Sequence, residues 1–232
     1  MMNQYDILLT GSAVQYCPAI PKTGLWDTRE RLTDYLCAIR LWLEDPNVRS
    51  VIYCDAGGYQ LPEEIISNDR FESLNINLID LCVQKGRGAA ECESIRYAME
   101  KSRFLGNRFF KCTGRIYVTN FNEIVRATQP EGQFLYLNKS DKLQGADTRF
   151  YGIDKTYYLE SVLPLIEKMH DYSNEIVEKV FYHHIHQYCF FPIAHIMGRS
   201  AYFGHHYETY YPESLLNKTR RLLEKMEIPK SY

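Results

Sequence analysis

Lys85-Gly86-Arg87-Gly88, with Glu91 three residues further on, is the stretch of this sequence that first suggests chemistry. Read as a strand over 74–83, a short turn and a helix from Gly88 onward, it would leave backbone N–H groups unpaired beside two cations. Glycines there would let an oxyanion come close to the main chain. That is phosphate chemistry. The same pattern also describes a plain turn, because paired glycines between a strand and a helix are common. A dinucleotide fingerprint is disfavoured: its third glycine position holds Glu91, and the turn follows the third expected strand rather than the first. The chain contains neither a Walker loop nor an Asp-x-Asp. Its histidine runs, His183-His184-x-His186 and His205-His206, lack zinc spacing, although His183 and His186 would share a face of a helix expected over 173–188.

The secondary structure around these residues reads as alternating strands and helices. The chain has 232 residues, 45% of them hydrophobic and 14% aromatic, enough for one sizeable core. A net charge of −2 excludes broad electrostatic binding to nucleic acid. Seven cysteines, Cys17, Cys37, Cys54, Cys82, Cys92, Cys112 and Cys189, include no C-x-x-C pair and read as reduced thiols of a cytoplasmic protein. No uncharged apolar run approaches the roughly 18 to 20 residues of a membrane span, and the first residues carry no secretory pattern. Strands are expected at 5–11, 48–59, 74–83, 114–120, 133–138 and 148–153. Helices are expected at 27–45, opened by a capping box of Asp27 and Glu30, then after Gly88, at 156–169 and at 173–188. A last basic amphipathic helix over 212–227 sets Leu215, Leu216, Leu222, Leu223 and Met226 against Lys218, Arg220, Arg221 and Lys225. It could lie on an anionic membrane surface or dock onto the body of the protein. The fold class expected is α/β, with a mixed, mainly parallel sheet flanked by helices in a single domain.

Several blocks in order, among them "ILLTGSAV", "VIYCDAGGY", "KGRGAAECESIRYAMEKS", "FFKCTGRIYVTN", "DTRFYGIDKTYYL" and "IMGRSAYFGHHY", resemble a family of bacterial glycosyltransferases of lipopolysaccharide, O-antigen or capsule synthesis. The resemblance spans nearly the whole chain. It implies a GT-A-like, Rossmann-like fold over 1–232, with a donor-binding half of about 1–120 and an acceptor half of about 121–211. Where that family usually reads K-G-x-G-E, this chain has Lys85, Gly86 and Gly88, but its acid comes later, at Glu91. The implied activity moves a sugar from a nucleotide-sugar donor to a glycan or lipid-linked acceptor.

Such a reaction needs the leaving phosphate neutralised, the sugar oriented and a base at the acceptor hydroxyl. The resemblance implies donor contacts from Thr10, Asp55, Lys85, Gly86, Gly88, Glu91, Lys111, Thr113, Gly114 and Arg149, and catalytic roles for Arg115, Asp147 and Glu178. Glu175 and Glu178 are the candidate bases, by analogy with an acid on a late helix. GT-A enzymes commonly hold a divalent metal on an Asp-x-Asp. Here either Asp55 or Asp147 would share Mg or Mn with the donor diphosphate, or Lys85, Lys111 and Arg115 would replace the metal's charge, and the second is preferred. Each residue also has a plainer reading: Asp55 as a turn aspartate, Asp147 and Arg149 as a surface ion pair, Lys111 and Arg115 as solvated charges. The 19 tyrosines suit stacking on sugars or ordinary packing. A nucleotidyltransferase, which would need metal-binding carboxylates, and a nucleotide-sugar-binding module without catalysis are the alternatives. The expected location is the cytoplasm, peripheral at the inner face of the membrane if the final helix lies on it rather than docking onto the body of the protein.

Overall fold

Strand β1 (Tyr5–Gly11) is buried along almost its whole length because helices cover both of its faces. Its alternate residues accordingly serve two cores: Ile7 and Leu9 face one side, Leu8 the other. The computed structural model describes residues 4–13, 28–61, 67–128, 134–193 and 195. The expected helix over 212–227, the block "IMGRSAYFGHHY", His205, His206 and Cys17 lie outside them.

Helix α1 (Thr28–Glu44) follows β1, and its Leu32, Tyr35, Leu36, Ile39 and Trp42 fall on one face at helical spacing. Strand β2 (Val48–Asp55) returns parallel to β1, then β3 (Phe71–Asn75) parallel to β2. Helices α2 (Ile79–Lys85) and α3 (Arg87–Lys101) cross the opposite face, and β4 (Arg108–Thr113) pairs parallel to the free side of β1. Helix α4 (Phe121–Ala127) follows, then the short strands β5 (Leu135–Tyr136), β6 (Lys139–Ser140) and β7 (Gly145–Ala146). Strand β8 (Phe150–Asp154) runs antiparallel to both β4 and β5. The main sheet has the order β3-β2-β1-β4-β8-β5, with β6 and β7 as a separate ribbon. It is a mixed, mainly parallel sheet flanked by helices. Strand order reverses between β1 and β4, so the crevice beyond their carboxyl ends is the topological switch point, where open α/β sheets place ligands.

Four expected elements differ. The strand expected over 74–83 is instead the end of β3 followed by α2. Backbone bonds from Ile76 N to Asp55 O and from Leu78 N to Ala56 O draw the chain across the sheet's end, and the apolar run then continues as a helix. The strand expected at 114–120 ends before it starts: β4 occupies 108–113, and Gly114 begins a turn, closed by Ile116 N bonding Thr113 O. Lys111 and Thr113 therefore stand at the end of a strand rather than ahead of one. The helix expected at 156–169 is a run of short pieces: α5 (Lys155–Tyr157), a π-helical turn (Tyr158–Val162) and a 3₁₀ turn (Leu163–Lys168) that opens around Pro164. The late helix is shorter than expected, α6 spanning Val177–His184, so His183 and His186 are not on one helical face.

Candidate functional site

Thr10 and Thr113 are register partners at the carboxyl ends of β1 and β4. Beyond them the two chains stay together, because Gly114 N donates to Thr10 O at 2.7 Å. Glycine is required at 114: a Cβ there would stand 2.9 Å from Thr10 O and 2.9 Å from the Tyr35 ring. Tyr35 also presses on Gly11, and its hydroxyl bonds the Ser12 backbone and Arg31, which fixes the start of the loop after β1.

Below this edge lies a buried lysine. The Lys111 side chain, 1% exposed, places Nζ 2.7 Å from Glu91 Oε1 and 2.6 Å from Thr148 O. Glu91 arrives from the second turn of α3, and the same Oε1 accepts from Thr10 Oγ1 at 2.6 Å. Thr148 Oγ1 in turn donates to Glu178 Oε1 at 3.3 Å, from the first turn of α6. Thr10, Glu91, Lys111, Thr148 and Glu178 thus form one continuous chain of polar contacts across four elements. A cation this deep needs an anion, and Glu91 supplies it. Burial pushes the Glu178 carboxyl above the ordinary glutamate range, and the Glu91 charge adds to that, while Lys111 and Thr148 oppose it. A carboxyl whose proton affinity is raised by burial has the kind of environment in which a general acid or base is found.

At the rim, Arg149 bonds Asp147 through two of its nitrogens, Nε at 2.8 Å from Oδ1 and Nη2 at 2.7 Å from Oδ2. His195 Nε2 lies 3.1 Å from the same Oδ2. Burial alone would raise the Asp147 carboxyl, but the bonds from Arg149 and His195 win and hold it well below the usual carboxylate range. The Asp147 hydrogen bond likewise raises Arg149, with a smaller contribution from the charge of Glu178, so rim and interior are electrostatically connected. The Arg149 side chain is 40% exposed.

The remaining expected residues are placed differently. Asp55 is fully buried; its oxygens accept from Ala13 N, Tyr53 Oη, Gly57 N and Tyr59 N, so it ties the loop after β1 to the end of β2. Burial nevertheless raises its carboxyl. Lys85 pairs with the exposed Glu167 at 2.7 Å. Gly86 joins two helices rather than a strand and a helix, and Gly88 lies in the first turn of the second. Gly86, at φ +111°, leaves room for the Asp171 carboxyl, which accepts from Arg87 N at 2.8 Å. The start of α3, expected to meet a phosphate, is therefore met by the protein's own carboxylate. Gly88 packs against Val177. Arg115 is 4% exposed in the turn after β4. A divalent metal does not fit the two carboxylates expected to hold it, because Asp55 is saturated by four donors and Asp147 is taken by Arg149 and His195. Among the described residues no cluster of three or more His, Cys, Asp or Glu side chains is placed to hold a metal ion. Thr148 lies in the block "DTRFYGIDKTYYL" without a role implied for it there, and His195 lies outside every block that carries the resemblance; only the fold brings His195 to Asp147 across 48 positions.

No protein-family model matches this chain, and no curated protein matches it. Solved structures do. The galactosyltransferase LgtC, in complex with donor and acceptor sugar analogues, aligns with a TM-score of 0.49 and 9% identity over 76% of this chain and 68% of that one. The 4-diphosphocytidyl-2C-methyl-D-erythritol synthase of Anaerococcus prevotii aligns with a TM-score of 0.44 and 8% identity over 96% of this chain and 97% of that one. Both of these proteins are enzymes; at such identities neither carries an activity to this chain.

Proposed function

We propose that this protein is a glycosyltransferase that moves a sugar from a nucleotide-sugar donor to a glycan or lipid-linked acceptor in bacterial cell-surface polysaccharide synthesis. One observation carries the reading: the chain of contacts Thr10–Glu91–Lys111–Thr148–Glu178 ends in a raised carboxyl beneath the switch-point crevice, with Arg149 at its rim. The sequence blocks that resemble the transferase family support it independently.

The roles follow from the placement. Glu178 is the base that takes the acceptor's proton: it ends the chain of contacts through Thr148, and burial raises its affinity for a proton. Lys111 is too buried to meet a donor and instead fixes Glu91 and the Thr148 carbonyl. Thr113 stands at the edge on which the donor lies, with Thr10 and Gly114 buried behind it. Arg149 takes the phosphate charge that develops as the glycosidic bond breaks, since a guanidinium can hold two phosphate oxygens and does not lose its proton. Asp147 orients that guanidinium. A nucleotidyltransferase would call on metal-binding carboxylates, and Asp55 and Asp147 are engaged elsewhere. The protein would act in the cytoplasm. No helix among the described residues is long and apolar enough to cross a membrane, so contact with a lipid-linked acceptor would fall to segments such as 212–227.

A thermal-shift panel of UDP-, GDP-, dTDP- and CMP-sugars tests this reading. The cognate donor at about 100 times its dissociation constant should stabilise the fold by about 2.7 kcal/mol. Absence of a shift with every member would contradict it.

A further inference from the structure

We propose that His195 is a positioning residue: acting through Asp147, it orients the Arg149 guanidinium to receive the donor's diphosphate. The proposal rests on the donor-binding reading above and extends it to a residue outside every recognised motif. The geometry begins with the β6–β7 ribbon, whose register pairs Lys139 with Ala146 and Ser140 with Gly145. One step outward the pairing continues, as Asp147 N donates to Asn138 O at 2.7 Å. Asn138 and Asp147 are thereby held side by side, and the His195 ring bridges them. Its Nδ1 lies 3.3 Å from Asn138 Nδ2 and its Nε2 lies 3.1 Å from Asp147 Oδ2. With the Asn138 amide N–H donating to Nδ1, the ring is the tautomer that carries its proton on Nε2 and can donate it to Asp147.

Packing fixes the ring as firmly as the hydrogen bonds do. Phe150 and Phe191 meet it edge to face, with centroids at 5.5 Å and 5.6 Å, and its side chain is 6% exposed. The imidazole is thus held in one plane between its two polar neighbours. A carboxylate that accepts from His195 on one side and from Arg149 on the other cannot turn freely, and the arginine inherits that restriction. Arg149 lies beside the end of β4, its carbonyl accepting from Thr113 N at 2.8 Å, so the orientation is delivered to the switch-point crevice. Holding a cation in place before charge develops is what makes it effective at a leaving group. The arrangement parallels the outer partners that aim histidines at metals, with an arginine in place of the metal.

A double-mutant cycle tests the proposal, with calorimetry of uridine, guanosine and thymidine diphosphates and of inorganic pyrophosphate as probes. Arg149→Met should weaken binding of the cognate diphosphate about 100-fold, as loss of a charge-assisted bidentate contact does. His195→Phe keeps the ring packing but not the bond, and should weaken it about tenfold, while His195→Gln, which can still donate to Asp147, should restore most of the loss. In the Arg149→Met background His195→Phe should have no further effect. An equal loss from His195→Phe with and without Arg149 would overturn the proposal while leaving the donor-binding reading intact. Wild-type protein that binds none of the probes would overturn the proposal, and if no nucleotide-sugar of the thermal-shift panel shifts it either, the donor-binding reading as well. If the His195 variants do not fold, ¹⁵N NMR of histidine-labelled wild-type protein still decides: protonation at Nε2 supports the proposal, and protonation at Nδ1 alone overturns it.

Discussion

Glu178 faces two demands at once, and they oppose each other. Its carboxyl is raised in the folded protein, so between the ordinary glutamate range and that raised value the folded state binds more protons than the unfolded state. Stability contributed by this group is therefore greatest at acid pH and falls as pH rises through that window. Glu178→Gln removes the penalty and keeps an oxygen to accept from Thr148 Oγ1. The variant should show a flatter dependence of urea midpoint on pH and be no less stable than wild type at pH 7. Its turnover should drop by about 10²-fold to 10⁴-fold, the usual cost of losing a general base. A variant that is destabilised at pH 7 with turnover intact would assign Glu178 a structural role. Lys111 shows why a residue's type does not disclose what it does. The sequence offers a cation at the right place, but only the fold shows that Glu91 and the Thr148 carbonyl enclose it.

Among the secondary-structure elements, the glycine turn before α3 carries the main correction. Two glycines and two cations satisfy the residue requirements of a phosphate loop, yet what decides the matter is which group reaches the helix N-terminus first. Here Asp171 does, delivered by a loop 84 positions away, a separation that periodicity and propensity cannot register. A Cβ on Gly88 would stand 2.9 Å from Val177 Cβ and 3.3 Å from Val177 N, on the first turn of the helix that carries Glu178. Gly88→Val should therefore lower stability by about 1–3 kcal/mol through overpacking, read as a shifted urea midpoint. A stable Gly88→Val protein with impaired donor binding would return the turn to the phosphate. The strands are more legible than this turn, because burial on both faces leaves apolar runs such as those of β1 and β2 with few alternatives. The broken helices after Lys155 are not legible in detail, since Pro164 marks a disruption without specifying the π and 3₁₀ turns around it.

For the whole molecule, the sheet order determines where chemistry can occur. Strands β2 and β3 build outward from one side of β1, and β4 and the antiparallel β8 from the other, so the carboxyl ends of β1 and β4 meet at the switch point of the sheet. The sequence shows the α/β alternation and most residues of that edge. It does not show the antiparallel insertion of β8, which brings Thr148 and Arg149 alongside Thr113. Asp55 and Asp147, the carboxylates expected to hold a metal, are engaged in the fold, and Arg149 stands at the rim. The proposed enzyme is therefore a transferase whose own residues, not a divalent ion, neutralise the leaving diphosphate. The decisive experiment follows release of nucleoside diphosphate or monophosphate from the cognate nucleotide-sugar, identified by the thermal-shift panel, with and without chelator. Slow donor hydrolysis without acceptor is expected, at a rate that chelator leaves within about twofold, since a true metal Lewis acid would contribute several kcal/mol to the transition state. Binding with no turnover, or turnover that vanishes in chelator and returns with manganese or magnesium, would refute a metal-independent transferase.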